Sequence, residues 1–173
     1  MAATPLVGIL MGSETDLPVM AECAKTLDGY GVGYDIRVLS AHRTPEQAVA
    51  FAREAAGRGI QVIVAGAGGS AHLAGVLAAH TLLPVIGVPL GGSPLGGFDA
   101  LLSTVQMPPG IPVATVGVGP MGAKNAGHLA VTIMALADAG LRAKLQGQRE
   151  KMTADVLAKG ENLKAKLDEL RKR

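Results

Sequence analysis

The fold of this chain is decided by the stretch QVIVAGAGGSAH, residues 61–72. The β-branched run at 61–65 predicts a buried strand, the glycines after it predict a tight turn, and small residues at 71–80 predict a helix. No Asp, Glu, Lys or Arg occurs between Arg58 and Asp99. Strands buried on both faces of a parallel sheet have this continuous apolar character. A membrane-spanning helix needs about 20 uninterrupted apolar residues, and glycines and prolines divide this stretch, so we expect no membrane segment.

Apolar runs alternate with helical patterns on both sides of this stretch. The predicted strands cover residues 6–11, 34–39, 61–65, 85–88 and 112–118. The predicted helices cover residues 16–27, 45–57, 71–80, 98–105 and 123–139, followed by polar helix over 141–173. This alternation favours a parallel sheet with right-handed crossovers. Five strands fit a doubly wound, flavodoxin-like α/β order, with the polar second strand at an edge.

The composition limits the kind of protein. Hydrophobic residues make up 49% of the 173 residues, aromatic residues 2%, and 24 residues are glycine. The mean hydropathy of +0.34 is apolar for a soluble monomer, so we expect a homo-oligomer that buries part of this surface. The single cysteine, Cys23, excludes an internal disulfide and fits a reducing, cytoplasmic compartment. The first residues lack the basic and apolar regions of a signal peptide.

Charge is distributed unevenly along the chain. Residues 141–173 hold ten Lys and Arg and five Asp and Glu, whereas residues 1–140 hold six and nine. Charges of both signs at helical spacing, without aromatic residues on which bases could stack, do not favour nucleic-acid binding. We therefore predict a domain over residues 1–140 and a helical tail over 141–173 that packs on this domain or on a neighbouring subunit.

The loop after the first strand is GSETD, residues 12–16. In doubly wound sheets ligands bind beyond the carboxyl ends of the strands, at the switch point. Gly12 permits a tight turn, and the hydroxyls of Ser13 and Thr15 with free helix amides can form a phosphate cradle. The loop lacks the Walker signature and the dinucleotide fingerprint. Asp16 has two interpretations, a ligand for a ribose hydroxyl or a helix cap.

The loop after the second strand is SAHRTP, residues 40–45. Of the six Lys and Arg before residue 141, only Arg43 falls on a switch-point loop, so it is predicted to bind phosphate; a surface ion pair is the alternative. His42 is interpreted either as a general acid/base or as a structural imidazole. Thr44 is the predicted N-cap of the next helix, and Gln47 is expected to complete a capping box.

The loop after the third strand, residues 66–72, is rich in glycine. Glycine lets backbone amides touch a ligand, although tight strand-to-helix packing also needs glycine. His72 lies one position into the next helix and is expected to point at the same crevice. His80 and His128 are interpreted as structural or surface residues. The histidines and the cysteine lack metal-ligand spacing, so no metal is expected.

Together, these loops resemble the N5-carboxyaminoimidazole ribonucleotide mutase family of purine biosynthesis. The resemblance extends from Val7 to Leu136. It depends on MGS at 11–13 with Asp16, SAHRTP at 40–45, AGAGGSAHL at 65–73, GVP at 87–89, QMP at 106–108 and GIPV at 110–113.

The resemblance implies a flavodoxin-like three-layer sandwich, a homo-octamer and an isomerase that uses no metal, ATP or organic cofactor. In this family carbon dioxide moves from the exocyclic nitrogen of an aminoimidazole ribonucleotide to a ring carbon. His42 matches the catalytic general acid/base. The glycine-rich loop ending at His72 corresponds to the frame of the carbon dioxide pocket. The implied substrate-binding residues are Ser13, Asp16, Ser40, Arg43, Gly68, Gly69, Ser70 and His72.

Two alternatives remain at this point. A sister branch carboxylates the aminoimidazole ribonucleotide directly with carbon dioxide; Arg43 within SAHRTP and the GAGGSAH loop favour the mutase branch. A non-catalytic nucleotide-binding module would need Ser13, Asp16 and Arg43 but would tolerate the loss of His42. Membrane or nucleic-acid binding through the basic tail is not favoured.

Overall fold

The computed structural model describes residues 6–161 and 163–172. The strands are β1 (Val7–Met11), β2 (Tyr34–Val38), β3 (Val62–Gly68), β4 (Val85–Leu90) and β5 (Ala114–Thr115). The helices are α1 (Leu17–Tyr30), α2 (Pro45–Glu54), α3 (His72–Ala78), α4 (Phe98–Val105), α5 (Gly119–Met134), α6 (Ala139–Glu161) and α7 (Leu163–Arg171). Short 3-10 turns cover Glu14–Asp16 and Ala56–Arg58.

The sheet is parallel throughout, with the order β2-β1-β3-β4-β5. Val7 of β1 is in register with Tyr34 on one side and with Val62 on the other. Helices α1 and α5 pack together, whereas α3 contacts both α2 and α4. This is the doubly wound, flavodoxin-like α/β arrangement predicted from the alternating pattern. The order reverses direction between β1 and β3, which is its switch point.

The core lies along the central strands. The side chains of Ile9 and Leu10 in β1, Ile63 and Val64 in β3 and Ile86 in β4 are fully buried. Helices cover both faces of these strands, and for this reason they are apolar without alternation. Strand β2 is half-exposed to exposed along its length. The edge position predicted from its polar residues is therefore confirmed.

Tertiary packing moves several predicted boundaries. Strand β3 continues to Gly68, three residues past the predicted end, because its ladder with β4 pairs Gly66 with Val88 and Gly68 with Leu90. A Cβ at Gly66 would collide with the sulfur of Met20 in α1, so this strand glycine permits close packing of the helix. Strand β5 has two residues instead of the predicted seven.

Helix α5 begins at Gly119, four residues before its predicted start, and ends at Met134. Its first turn packs directly on the preceding backbone, since a Cβ at Gly122 would overlap the carbonyl oxygen of Gly117. The apolar pattern at 123–139 located the helix but did not show this close approach.

The chain divides into two compact units, residues 1–134 and 135–173. In the second unit α6 passes through Gly147 without interruption. The guanidinium of Arg142 donates to the carbonyl oxygens of Ala135 and Leu136. The roles expected for residues 1–140 and 141–173 stay predictions. Among the described residues, no helix is long and apolar enough to cross a membrane.

Candidate active site

A cleft of about 300 Å³ lies beyond the carboxyl ends of the central strands. The three loops singled out from the sequence meet there, at the switch point where this class of sheet binds ligands. The volume is at the lower end of the range for small-molecule sites. The residues that line the cleft are Gly12, Ser13, Asp16, Ser40, Ala41, His42, Arg43, Ala67, Gly68, Ala71, His72 and Leu73.

The first loop is held by its own hydroxyls. The Oγ atom of Ser13 accepts hydrogen bonds from the amide of Thr15 at 3.3 Å and from the Thr15 hydroxyl at 2.9 Å. Asp16 occupies the N-cap position of α1, but its carboxylate makes no capping hydrogen bond. Of the two interpretations of Asp16, helix capping by the side chain is therefore wrong, and the residue faces the cleft.

Burial disfavours the ionised form of the Asp16 carboxyl. Burial raises its pKa above the ordinary value, and this effect outweighs the hydrogen bond with the Ser13 backbone and the nearby positive charge of Arg43. Ionised carboxylates lose hydration when they are buried. A ligand hydroxyl that donates to this carboxylate would replace the lost hydration.

The second loop is closed by Ser40 and Thr44. The Ser40 Oγ accepts from the amides of His42 at 3.3 Å and Arg43 at 3.2 Å. The Thr44 Oγ1 accepts from the Ser40 amide at 2.8 Å and donates to the Ser40 carbonyl at 3.2 Å. Thr44 is the N-cap residue of α2, as predicted, but the capping box predicted with Gln47 is wrong, since the Thr44 side chain makes no capping hydrogen bond. Its hydroxyl stabilises the loop that presents His42 and Arg43.

Arg43 connects the second loop to the first. One guanidinium nitrogen donates to the carbonyl oxygen of Gly12 at 2.7 Å. Among the described residues Arg43 forms no salt bridge within 4.0 Å, so the surface ion pair considered above is not found there. The remaining donors of the guanidinium fork are available to an anion in the cleft.

The third loop brings His72 to the cleft. Gly69 and Ala71 have left-handed backbone conformations, with φ values of 59° and 44°. Gly68, Ala71 and His72 line the cleft, whereas Gly69 and Ser70, the other expected substrate contacts, lie outside its lining. The small residues Ala41, Ala67 and Ala71 also line it and were missed, because alanine carries no chemical signal in a sequence.

The two cleft histidines contact each other. Nε2 of His42 lies 2.7 Å from Nδ1 of His72, and the rings meet edge to face with centroids 4.9 Å apart. The sequence predicted that both histidines face one crevice but gave no sign of this hydrogen bond. Within the described part of the chain, no group of three His, Cys, Asp or Glu is placed to hold a metal ion.

A parallel sheet in this order, with hydroxyl, carboxylate, guanidinium and imidazole groups in a cleft at the switch point, defines a class: flavodoxin-like α/β proteins that bind a small anionic ligand there. The family model described as AIR carboxylase matches residues 6–155. The chain belongs to the AIR carboxylase family.

Individual proteins agree with this assignment. The N5-carboxyaminoimidazole ribonucleotide mutase of Pyrococcus abyssi is 58% identical over 148 residues, which are 86% of this chain and 84% of that protein. The phosphoribosylaminoimidazole carboxylase of Schizosaccharomyces pombe is 50% identical over 92% of this chain and 29% of its own length. The crystal structure of Treponema denticola PurE superposes with a TM-score of 0.84 at 30% identity, covering 92% of this chain and 99% of that one.

Proposed function

We propose that this protein is an intramolecular transferase that converts N5-carboxyaminoimidazole ribonucleotide to 4-carboxy-5-aminoimidazole ribonucleotide in purine biosynthesis. The observation that carries the proposal is the convergence of His42 and Arg43 on one cleft with Ser13 and Asp16. The 58% identity to a relative named for this mutase activity supports the reaction.

The ribonucleotide is held at its charged end and at its sugar. Arg43 and the hydroxyl of Ser13 bind the phosphate, because a guanidinium fork matches phosphate oxygens and a hydroxyl can donate to them. Asp16 accepts a hydrogen bond from a ribose hydroxyl. Ser40 acts mainly through the loop, because its Oγ is occupied by two backbone amides. Gly68 lets the backbone approach the base, and Gly69 and Ser70 shape the turn behind it.

The chemistry begins with loss of carbon dioxide from the carbamate. As the bond between carbon and the exocyclic nitrogen breaks, protonated His42 gives its proton to that nitrogen, which becomes an amine. The ring carbon then attacks the trapped carbon dioxide. Neutral His42 removes the surplus hydrogen from that carbon as a proton, and the C–H electron pair restores the aromatic ring. No proton is gained or lost overall, so the proposed steps require no acid or base beyond His42.

Two physical effects supply the rate. An imidazole positioned to give and take a proton contributes about 10²–10⁴-fold. A cleft of about 300 Å³ leaves little room beside a bound ribonucleotide, so carbon dioxide stays next to the ring carbon instead of diffusing away.

The variant His42→Asn tests the role of the imidazole. We expect its kcat to fall at least about 10²-fold, whereas calorimetry with the product ribonucleotide should show binding close to that of the unsubstituted protein. His80→Asn is the matched control, because His80 lies outside the cleft lining, and it should keep full activity. Full turnover by His42→Asn would reject the role assigned to His42.

A second candidate reaction is direct carboxylation of the aminoimidazole ribonucleotide by carbon dioxide. The 50% identity to the Schizosaccharomyces pombe phosphoribosylaminoimidazole carboxylase favours keeping it. Supplying the carbamate ribonucleotide without ATP, and separately the aminoimidazole ribonucleotide with bicarbonate, distinguishes the two reactions by ultraviolet absorbance. If the protein is a mutase, it should turn over the carbamate ribonucleotide faster than it turns over the aminoimidazole ribonucleotide with bicarbonate.

The assembly and the location belong to the same proposal. Helix α4 exposes Phe98, Leu102 and Val105 on one face, with between 53% and 69% of each residue accessible. An apolar face of this kind is typical of a subunit interface, so it supports self-association, and the number of eight subunits comes from the resemblance. Sedimentation equilibrium should give a mass about eight times 17.5 kDa. A cytoplasmic location is the corresponding prediction.

A further inference from the structure

The hydrogen bond between His42 and His72 limits what each ring can do. Nε2 of His42 and Nδ1 of His72 are 2.7 Å apart, so one of these nitrogens carries the hydrogen and the other accepts it. Among the described residues, Nδ1 of His42 and Nε2 of His72 have no hydrogen-bond partner. Nδ1 is therefore the nitrogen of His42 that is left for a molecule in the cleft.

The direction of the hydrogen bond follows from the proton transfer that His42 carries out. To take a proton on Nδ1, neutral His42 must carry its hydrogen on Nε2 and donate it to Nδ1 of His72. Once Nδ1 is protonated, both nitrogens of His42 are donors, and the same Nε2–H bond to His72 remains in place. His72 can therefore accept one unchanged hydrogen bond in both protonation states of His42. A hydrogen bond donated in the opposite direction, from Nδ1 of His72 to Nε2 of His42, would have to break each time His42 became a cation.

We propose that His72 is a positioning residue that holds His42 in the tautomer with hydrogen on Nε2, so that Nδ1 carries the proton exchanged with the substrate. This inference depends on the function proposed above and changes the role expected for His72 from a substrate contact to a partner of His42. A base oriented by a third group is a recurrent arrangement in enzymes.

The backbone before His72 supports this role. Ala71 has φ 44° and ψ 38°, a left-handed conformation that is unfavourable for a non-glycine residue. It is also 97% buried, so the surrounding structure maintains the conformation. Strained residues of this kind concentrate at functional sites. Here the strain occurs at the residue that turns the chain into α3 and places His72 opposite His42.

Two variants of His72 separate positioning from substrate binding. His72→Leu removes the acceptor, and we expect kcat to fall about 30-fold with KM changed less than about threefold. His72→Asn keeps a polar atom where Nδ1 stands and should recover kcat to within about fivefold of the unsubstituted protein. His80→Leu, two residues beyond the C-terminal end of α3, should change neither constant.

Three kinetic results would overturn the inference. They are an unchanged kcat in His72→Leu, a rise in KM alone, and a kcat in His72→Asn as low as in His72→Leu. The first two would leave His72 without a positioning role, and the third would mean that the imidazole ring itself reacts.

A spectroscopic measurement tests the same inference without turnover. With ¹⁵N-labelled histidine, only four imidazoles contribute signals. The neutral His42 ring should show a protonated Nε2 and an unprotonated Nδ1, and a coupling across the hydrogen bond to Nδ1 of His72. A protonated Nδ1 on neutral His42 would overturn the inference. If the protein failed to isomerise the carbamate, the proposed function would fall while this measurement still answered the question about His72.

Discussion

Two hollows lie at opposite ends of helix α3. The cleft at its N-terminal end has a volume of about 300 Å³ and is lined by residues from three loops, including His42, Arg43 and His72. The hollow at its C-terminal end is larger, about 510 Å³, and is lined by Arg53, Ala56, Ala79, His80, Thr81 and Leu82. Both contain an arginine and a histidine. Volume and residue type alone would favour the larger hollow.

The difference lies in what each edge of the sheet brings together. At the carboxyl edge, three parallel strands end side by side, so loops distant in sequence place their side chains within hydrogen-bond distance of one another. At the opposite edge, α2 and α3 end and the chain turns back toward β3 and β4. Leu82 there is fully exposed to solvent. A binding site in this fold is therefore marked by the convergence of loops at the switch point.

The two arginines give the largest expected contrast. Arg43→Leu should lower kcat/KM for the ribonucleotide by about 100-fold, because a charge-assisted hydrogen bond to phosphate is worth about 1.5–3 kcal/mol and the bridge to Gly12 is also lost. Arg53→Leu should lower it less than about twofold. Steady-state kinetics of both variants checks this. Equal losses would show that the second hollow also serves the reaction.

The two alanines at the ends of α3 give the next contrast. Ala71 precedes the helix in a left-handed conformation, whereas Ala79 follows it with φ −70° and ψ −13°. A β-branched side chain tolerates the first conformation poorly. Ala71→Val should therefore cost about 2 kcal/mol more than Ala79→Val in the free energy of unfolding. Urea denaturation measures the difference. Similar values would mean that Ala71 carries no strain.

The smallest expected effect concerns Asp16, a carboxylate in the cleft. No carboxylate lines the second hollow, so the comparison here is with the unsubstituted protein. Burial raises the pKa of Asp16 in the folded protein. Its contribution to stability is therefore fully present below the pKa of the unfolded state, about 3.9, and is lost as the pH rises through the folded-state value. Relative to the unsubstituted protein, Asp16→Asn should gain stability, by less than about 1 kcal/mol, between pH 4 and pH 8.

Urea denaturation across this pH range measures the gain, and ribonucleotide binding by the same variant should weaken. A stability difference that does not change with pH would show that the Asp16 carboxyl is not penalised by burial.

Much of the fold was readable from local patterns. The apolar runs at β1, β3 and β4 predicted central strands, because strands buried on both faces of a sheet are apolar without alternation. The polar run at β2 predicted an edge strand. Boundaries were less readable. The extension of β3 to Gly68 depends on pairing with β4, and the early start of α5 depends on contact with Gly117. The first contact joins two strands that a local window does not compare, and the second is a close approach of two glycine backbones, which apolar periodicity does not report.

The candidate site shows the same division. His42, Arg43, Ser13 and Asp16 were predicted as candidates because polar and titratable side chains follow the ends of predicted strands, where ligands bind in this fold, and all four line the cleft. The hydrogen bonds of the Thr44 hydroxyl were not predicted, because a hydroxyl before a helix can cap that helix or close the preceding loop with similar hydrogen bonds. In the structure the Thr44 hydroxyl closes the loop, because it hydrogen-bonds to both the backbone amide and the backbone carbonyl of Ser40.

The sequence by itself determined the class of fold, the edge of the sheet that holds the cleft and the polar groups that enter it, because each depends on periodicity or on residue type at a strand end. Only the tertiary structure decided that Arg43 joins the first two loops and that His42 and His72 share a hydrogen bond. Distances of 2.7 Å between groups some thirty residues apart are set by how the strands stack in register, and register is a property of the assembled sheet.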